Sequence, residues 1–388
     1  MMMDLIALAC AGATGIGVLQ SALGVALLHR FRTRSVPLSA GSPPVTILKP
    51  LYGDETMLEP ALASFCEQDY PTFQIVFGVQ SAADPALDTV DRLRARYPLV
   101  DINVVVDSTR HGRNGKVANL INMMQAARHD ILLIADSDIH TQPDTLRRAV
   151  AALDQPGVGL ATALYTGLPP TDSLVGQLGA AFINRDFLPG ALLARGISRQ
   201  DCFGAIMALR RATLEQIGGF ASLADHVADD ALLGERVRSL GLDVALIDTV
   251  PATTVAETRF DQLFAHELRW ARTTKSVEPA GFALSAVRFS MFWATLMLLD
   301  SAVAPWGTGG AWALALFTGT WLVRAGLAGY SDHLLRIAAP LPIWCLPFRD
   351  FLSIAVMIAS YRSNRVAWRG QEHHVIAFTS SELEPGRG

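Results

Sequence analysis

The chain predicts an α/β fold, a mainly parallel sheet with helices on both faces, held between membrane helices at its two ends. Three observations lead there. Strand-like and helix-like runs alternate from about Pro44 to Pro279, the pattern of parallel strands joined by crossover helices. Ile131-Leu-Leu-Ile-Ala135 is an unbroken apolar run, as in a central strand covered on both faces, and it stops abruptly at Asp136-Ser-Asp138. Leu5 to Leu28 contains no charged residue and is long enough, as a helix, to cross a bilayer.

Taken in order, the first apolar stretch is preceded by Asp4 and followed by Arg30, Arg32 and Arg34. A signal peptide would be shorter and have its basic residues in front. The positive-inside rule therefore puts residue 30 onward in the cytosol, and residues 1–30 read as an anchor. Val45-Thr-Ile-Leu48 is the first strand, followed by Lys49-Pro50 and a helical pattern through Met57, Leu58, Leu62 and Phe65. Phe73–Val79 is the second strand; Asp84-Pro85 then opens a helix with Asp as cap and Pro in the first turn. Ile102–Val106 and Ile131–Ala135 are the third and fourth strands, and Val158–Tyr165 and Val244–Ile247 supply later ones. Residues 44–280 make one large domain with no second soluble one required.

Phe289 to Pro305, Trp312 to Val323 and Pro340 to Ser360 are further apolar stretches, so 281–361 reads as C-terminal membrane segments, with a turn at Trp306–Gly310. The third stretch holds Pro342, Pro347, Arg349 and Asp350, poor residues for a lipid-facing span, and is expected to be interfacial or re-entrant. Arg362, Arg365 and Arg369 put the tail, 362–388, on the cytosolic side. Over 388 residues the chain is 51% apolar, with a mean hydropathy of +0.30, and the excess sits at the two ends. The net charge of −4 gives no reason to expect nucleic acid. The four cysteines, Cys10, Cys66, Cys202 and Cys345, are widely spaced, with neither a disulfide framework nor a zinc pattern.

The strand ends carry the candidate chemistry. In open α/β sheets ligands sit beyond the carboxyl ends of the strands, where Asp136 and Asp138 are delivered. Alternation along an extended chain lets both carboxylates point to one side, with Ser137 turned away. Two hard oxygen ligands suit Mg²⁺ or Mn²⁺ bridging to a diphosphate, while an Asp after a strand also serves as a plain helix cap. Asp84 has the same two readings. Asp229-Asp230 opens an amphipathic helix, where acids are favoured in any case; their side chains diverge, so only one can face a substrate.

Four elements thus follow one another: Asp84, Asp136-Ser-Asp138, Asp229-Asp230 and Arg269-Trp270. In that order they resemble the nucleotide-sugar half of a GT-A glycosyltransferase. Lys49-Pro-Leu51, Asp69-Tyr-Pro71, Asp84-Pro-Ala86 and Lys116-Val-Ala-Asn119 are similar to runs of the ceramide glucosyltransferase family. Bacterial members acting on hopanoids look closest, through His266-Glu-Leu-Arg-Trp270 and Val366-Ala-Trp-Arg-Gly370. The resemblance covers residues 44–280, more weakly the ends. It implies a GT-A fold with a Rossmann-like sheet and a membrane-bound inverting enzyme of the bacterial inner membrane, facing the cytosol. The enzyme would move a sugar from a UDP donor to a lipid hydroxyl, in the first instance UDP-N-acetylglucosamine to a hopanoid polyol such as bacteriohopanetetrol. The alternatives are UDP-glucose with ceramide, and a scaffold without turnover.

The resemblance also distributes roles. Asp84 accepts from the uracil, and Asp136 and Asp138 hold a divalent metal with Asp136 near the ribose. Asp230 is the catalytic base, and Arg269 binds the diphosphate through its planar fork. Trp270 walls the acceptor pocket or simply packs. Lys49 and Lys116 add positive charge around the nucleotide or are ordinary loop lysines. The family has Gln or Arg where this chain has His266. Phe203-Gly204-Ala205 and Gly218-Gly219-Phe220 resemble an acceptor-side loop and a helix end, and Cys202 reads as packing.

Overall fold

The computed structural model describes residues 2–34, 41–303, 309–363, 365–368 and 371–374. The expected turn at 306–310 falls largely outside these residues, as do Arg369, Gly370 and the tail from 375 onward. The elements run α1 (Met2–Thr33), β1 (Val45–Pro50), α2 (Leu58–Cys66), β2 (Phe73–Val79), α3 (Ala86–Arg96), β3 (Asp101–Val106), α4 (Gly115–Met123), β4 (Ile131–Ala135) and β5 (Ile139–His140). There follow α5 (Thr145–Leu153), β6 (Val158–Thr162), β7 (Thr166–Leu168), α6 (Leu174–Ala181), a π-helical turn Phe182–Phe187, α7 (Leu188–Gly196), β8 (Ile206–Arg210) and α8 (Arg211–Gln216). The last are α9 (Asp229–Ser239), β9 (Asp243–Leu246), β10 (Ala252–Thr254), α10 (Phe260–Val277), α11 (Pro279–Leu284), α12 (Ser290–Val303), α13 (Gly309–Leu335) and α14 (Leu346–Ser360), then a short strand pair.

The chain divides into two compact units. A sheet unit spans Ser35–Pro170 and Ser198–Ala256; a helical unit gathers Met1–Arg34, Thr171–Ile197 and Glu257–Ala377. This grouping differs from the expected 44–280 domain: residues 171–197 and those from Glu257 fall with the end helices, where α6 and α10 bury apolar faces such as Leu178, Ala181, Leu263 and Ala271.

In the sheet unit the strand order is β3-β2-β1-β4-β8-β6-β9. The β1–β2, β1–β4, β2–β3 and β6–β9 pairs are parallel, and β8 runs antiparallel between β4 and β6. The sheet is mainly parallel as expected; β8, a short run followed by two arginines, went unread in the sequence. A second small sheet, β5-β10-β7, went unread as well. Every residue of β4 is buried. Ile131, Leu133 and Ala135 join one core with Phe65, Val90 and Val150, while Leu132 and Ile134 join the other with Val117, Leu120 and Leu232. That two-sided burial is why β4 reads as a continuous apolar run rather than an alternating one.

Helix α4 lies unusually close to β2. A Cβ on Gly78 would meet Asn119 Oδ1 and the Met123 sulfur, both at 2.4 Å, and Asn119 Nδ2 donates to the Gly78 carbonyl at 2.7 Å. Glycine is needed here for close approach. Asn114 caps the helix, its Oδ1 accepting from the Lys116 and Val117 amides.

In the helical unit, α1, α13 and the segment Ile343–Ser360 are long and apolar enough to cross a membrane, and Pro279–Arg288 with Ser290–Ala302 would make a fourth, bent by 59°. The charges that told against the third C-terminal stretch are turned inward. Arg349 forms a two-pronged pair with Glu267 (2.7 and 2.6 Å), and Asp350 accepts from the Met291 amide (2.9 Å) and faces Arg324 (3.4 Å).

Candidate active site

Four chain segments bring carboxylates and lysines together in the sheet unit. β4 ends at Asp136, whose Oδ1 lies 2.7 Å from Lys116 Nζ in the first turn of α4. The same ammonium is 3.4 Å from Asp229 Oδ2 at the start of α9. Asn114 ties the two helix starts, donating to the His226 carbonyl at 2.7 Å and to Asp229 Oδ1 at 3.3 Å. Lys116 is nearly buried, and burial alone would pull its pKa down; the Asp136 and Asp229 carboxylates outweigh this and hold it above the usual lysine value.

Adjacent in sequence, Asp229 and Asp230 diverge as the helix requires. Asp229 is 7% exposed and faces Lys116. Asp230 is half-buried, its Oδ2 accepting from the Gly204 amide at 2.9 Å and its Oδ1 from Ala231 at 2.8 Å. Burial and then the Asp229 charge raise its pKa to about 6, against the pull of Lys116. Gly204 fits closely, since a Cβ there would sit 3.1 Å from Asp230 Oδ2. Cys202 is packing, its Cβ under Gly234 of α9 and its thiol pushed well up by burial.

Asp138 accepts from the Thr253 hydroxyl at 2.6 Å, and its carbonyl from the Thr254 amide at 3.1 Å, so β10 holds the second carboxylate of the pair. Burial, then Asp136, raises its pKa. Ser137 is turned inward and donates to Glu55 in the loop between β1 and α2. Asp84 stands after β2, with Oδ1 accepting from Ala86 of α3 (3.0 Å) and from Gly53 (2.9 Å). Asp84 thus bonds the first turn of α3, whose N-cap is Pro85, and Asp84 Oδ2 takes no donor from another of the described residues.

Lys49, expected to add charge around a nucleotide, is fully buried on the α2 side of the sheet. Its Nζ lies 3.9 Å from the centre of the Phe65 ring and donates to the Asp136 carbonyl at 2.6 Å. Burial pulls its pKa to about 7 against the attraction of Asp138, Asp136 and Glu55.

The fit of a divalent cation rests on the donor set. Among the described residues no three His, Cys, Asp or Glu side chains gather as a metal cage. Asp136 and Asp138 each have one carboxylate oxygen engaged as above and one with no donor from another described residue. Two hard oxygens supplemented by water and phosphate match how Mg²⁺ is usually held, so the residues fit.

Arg269 and Trp270 belong to the helical unit, on α10. Trp270 packs edge-on against the His266 ring at 4.4 Å and near Phe182 at 6.3 Å. His266 Nδ1 bonds Glu257. Burial alone would raise the Glu257 pKa, but that bond and the His266 and Arg269 charges bring it below the usual value. Glu55, Asn114 and Thr253 were not picked out from the sequence. Asn before Gly115-Lys116 is a readable helix cap; Glu55 and Thr253 act 82 and 115 residues away in the chain, with no local signal.

The model of the family described as glycosyl transferase family 21 matches residues 7–379. Curated relatives include a ceramide glucosyltransferase of Komagataella phaffii, 33% identical over 134 residues (33% of this chain, 26% of the relative), and ceramide glucosyltransferase 1 of Caenorhabditis elegans, 27% identical over 219 residues (54% and 45%). The chain thus matches less than half the length of either. Among solved structures, a mannosyltransferase from Pyrobaculum calidifontis in complex with GDP-Man and Mn²⁺ aligns over 93% of this chain and 98% of its own, with TM-score 0.56 and 21% identity. That likeness establishes the GT-A fold.

Proposed function

Because the chain belongs to glycosyl transferase family 21, we propose that it is a membrane-bound inverting enzyme that moves one sugar from a UDP-sugar to a lipid hydroxyl. The observation that carries this reading is the cluster in which Lys116 bridges Asp136 and Asp229, with Asp230 beside it on a backbone amide. In the proposed step the acceptor oxygen attacks the anomeric carbon and the bond from that carbon to the diphosphate oxygen breaks. The electron pair leaves with UDP, and the hydroxyl proton passes to Asp230. A base of pKa about 6 is ionised at neutral pH and well matched to that transfer. Asp84 accepts from the uracil N3–H, Lys116 balances the carboxylates beside the diphosphate, and Arg269 binds phosphate. Trp270 walls the acceptor. A divalent cation held by Asp136 and Asp138 would offset the charge of the leaving diphosphate.

For the substrates, the reading is UDP-N-acetylglucosamine with a hopanoid polyol, supported by the His266-Glu-Leu-Arg-Trp270 run. The curated relatives are ceramide glucosyltransferases, which favours a second pairing, UDP-glucose with ceramide. The proposed location is the bacterial inner membrane, and a cytosol-facing sheet unit is supported by Arg30 and Arg32 in the last turn of α1 and Arg34 just beyond it. The test is to incubate the purified chain with both UDP-sugars and both lipids and to weigh the product. A glycosylated lipid with release of UDP is expected, and its mass chooses the pairing. No product from any of the four combinations would refute the reading, and full activity after exhaustive chelation would refute the metal assignment.

A further inference from the structure

The turn that carries Asp136 and Asp138 is held from beneath by two side chains of another segment. Lys49, the penultimate residue of β1, donates to the Asp136 carbonyl at 2.6 Å. Glu55, six residues on, accepts from Ser137 Oγ. One bond grips the peptide between the two candidate ligands, and the other grips the side chain between them. Lys49 has no exposed surface, and Phe65, Phe77 and Ile47 around it in the core are apolar. An ammonium in such a place is costly to bury, and it is offset here by its bond to the Asp136 carbonyl and by the nearby Asp136, Asp138 and Glu55 carboxylates. Its one side-chain hydrogen bond among the described residues goes to the peptide on which the geometry of both carboxylates depends. From this arrangement we infer that Lys49 and Glu55 are positioning residues of the donor site, fixing the Asp136-Ser137-Asp138 turn in the form that receives a nucleoside diphosphate with its cation. The inference rests on the donor reading of those carboxylates.

Lys49→Met separates this role from a structural one, since Met keeps the apolar stem and volume and removes the bond. Binding of UDP with Mn²⁺ is measured by calorimetry on the full chain in detergent, beside thermal unfolding of the free protein. The folded variant, its unfolding temperature recorded beside the affinity, should bind at least about tenfold more weakly, the usual consequence of losing a group that orients metal ligands. Glu55 is half-buried, so its variants provide a second route if Lys49→Met fails to fold. Glu55→Ala should bind about tenfold more weakly, while Glu55→Gln, which retains an acceptor for Ser137, should bind like the parent. Parental affinity in both Lys49→Met and Glu55→Ala, or in Glu55→Ala alone where Lys49→Met does not fold, overturns the inference and leaves the donor reading standing. A parent protein that does not bind UDP with Mn²⁺ overturns the donor reading, and the inference with it.

Discussion

At the residue scale the two adjacent carboxylates divide their work by direction. Asp230 is held at a pKa of about 6 by burial and by Asp229, and its deprotonated form is the one that accepts a proton. The expected pH dependence follows from that sign. kcat/KM is level above pH about 6 and falls roughly tenfold per unit below it, as a pH–rate profile would record. Asp230→Asn should lower kcat by about 10²–10⁴-fold and leave UDP binding intact. Asp229 instead bonds Lys116 and Asn114, so Asp229→Asn should weaken UDP binding and destabilise the fold by about 1–3 kcal/mol, read by calorimetry and thermal unfolding. A kcat loss in Asp229→Asn alone would reverse the assignment. The pair was legible in the sequence as one helix-opening motif, but which member faces Lys116 was not, since the helix phase is set by Leu232, Leu233 and Val237 entering the core.

At the element scale the site depends on where α4 lies, because that helix carries Lys116. Its seat on β2 is set by the absence of a side chain at Gly78 and by the Asn119 bond to the Gly78 carbonyl. Gly78→Ala forces Asn119 or Met123 to move and should cost about 1–3 kcal/mol through overpacking. Thermal unfolding measures the cost, and a loss of UDP affinity should accompany it as Lys116 shifts. An unchanged midpoint would mean that α4 adapts freely. The strands β1 to β4 were readable because each is a run buried on one or both faces. β8, β5 and β10 were not, because their pairing is with distant strands and their own sequences are too short to show a period.

At the scale of the whole molecule the helical unit buries charge where its sequence looked unfit for a membrane. Glu267 and Arg349 are 4% and 2% exposed and pair with one another through two hydrogen bonds. Removing one partner leaves an unpaired buried charge, so Arg349→Met should destabilise the protein by about 3–5 kcal/mol in detergent unfolding, and Glu267→Met added to it should recover much of the loss. No recovery would mean that the pair does more than balance charge. Orientation can be tested without background, because all four native cysteines are buried. Ser81→Cys, at an exposed position of the sheet unit, should react with a membrane-impermeant maleimide only after the inner face is opened. Labelling of intact cells would place that unit on the opposite side.

The sequence by itself determined the fold class, the central strand ending in two carboxylates, the order of the acidic motifs and the apolar ends. These are properties of local period and of residue types at neighbouring positions, which the chain displays directly. Only the tertiary structure decided that Lys49 lies buried under the Asp136 turn, and that Lys116 bridges Asp136 and Asp229. It alone grouped residues 171–197 with the end helices and paired Arg349 inward with Glu267. Each of these depends on contacts between segments dozens of residues apart, and the favourable partner for a buried charge is chosen by packing, not by its neighbours in the chain.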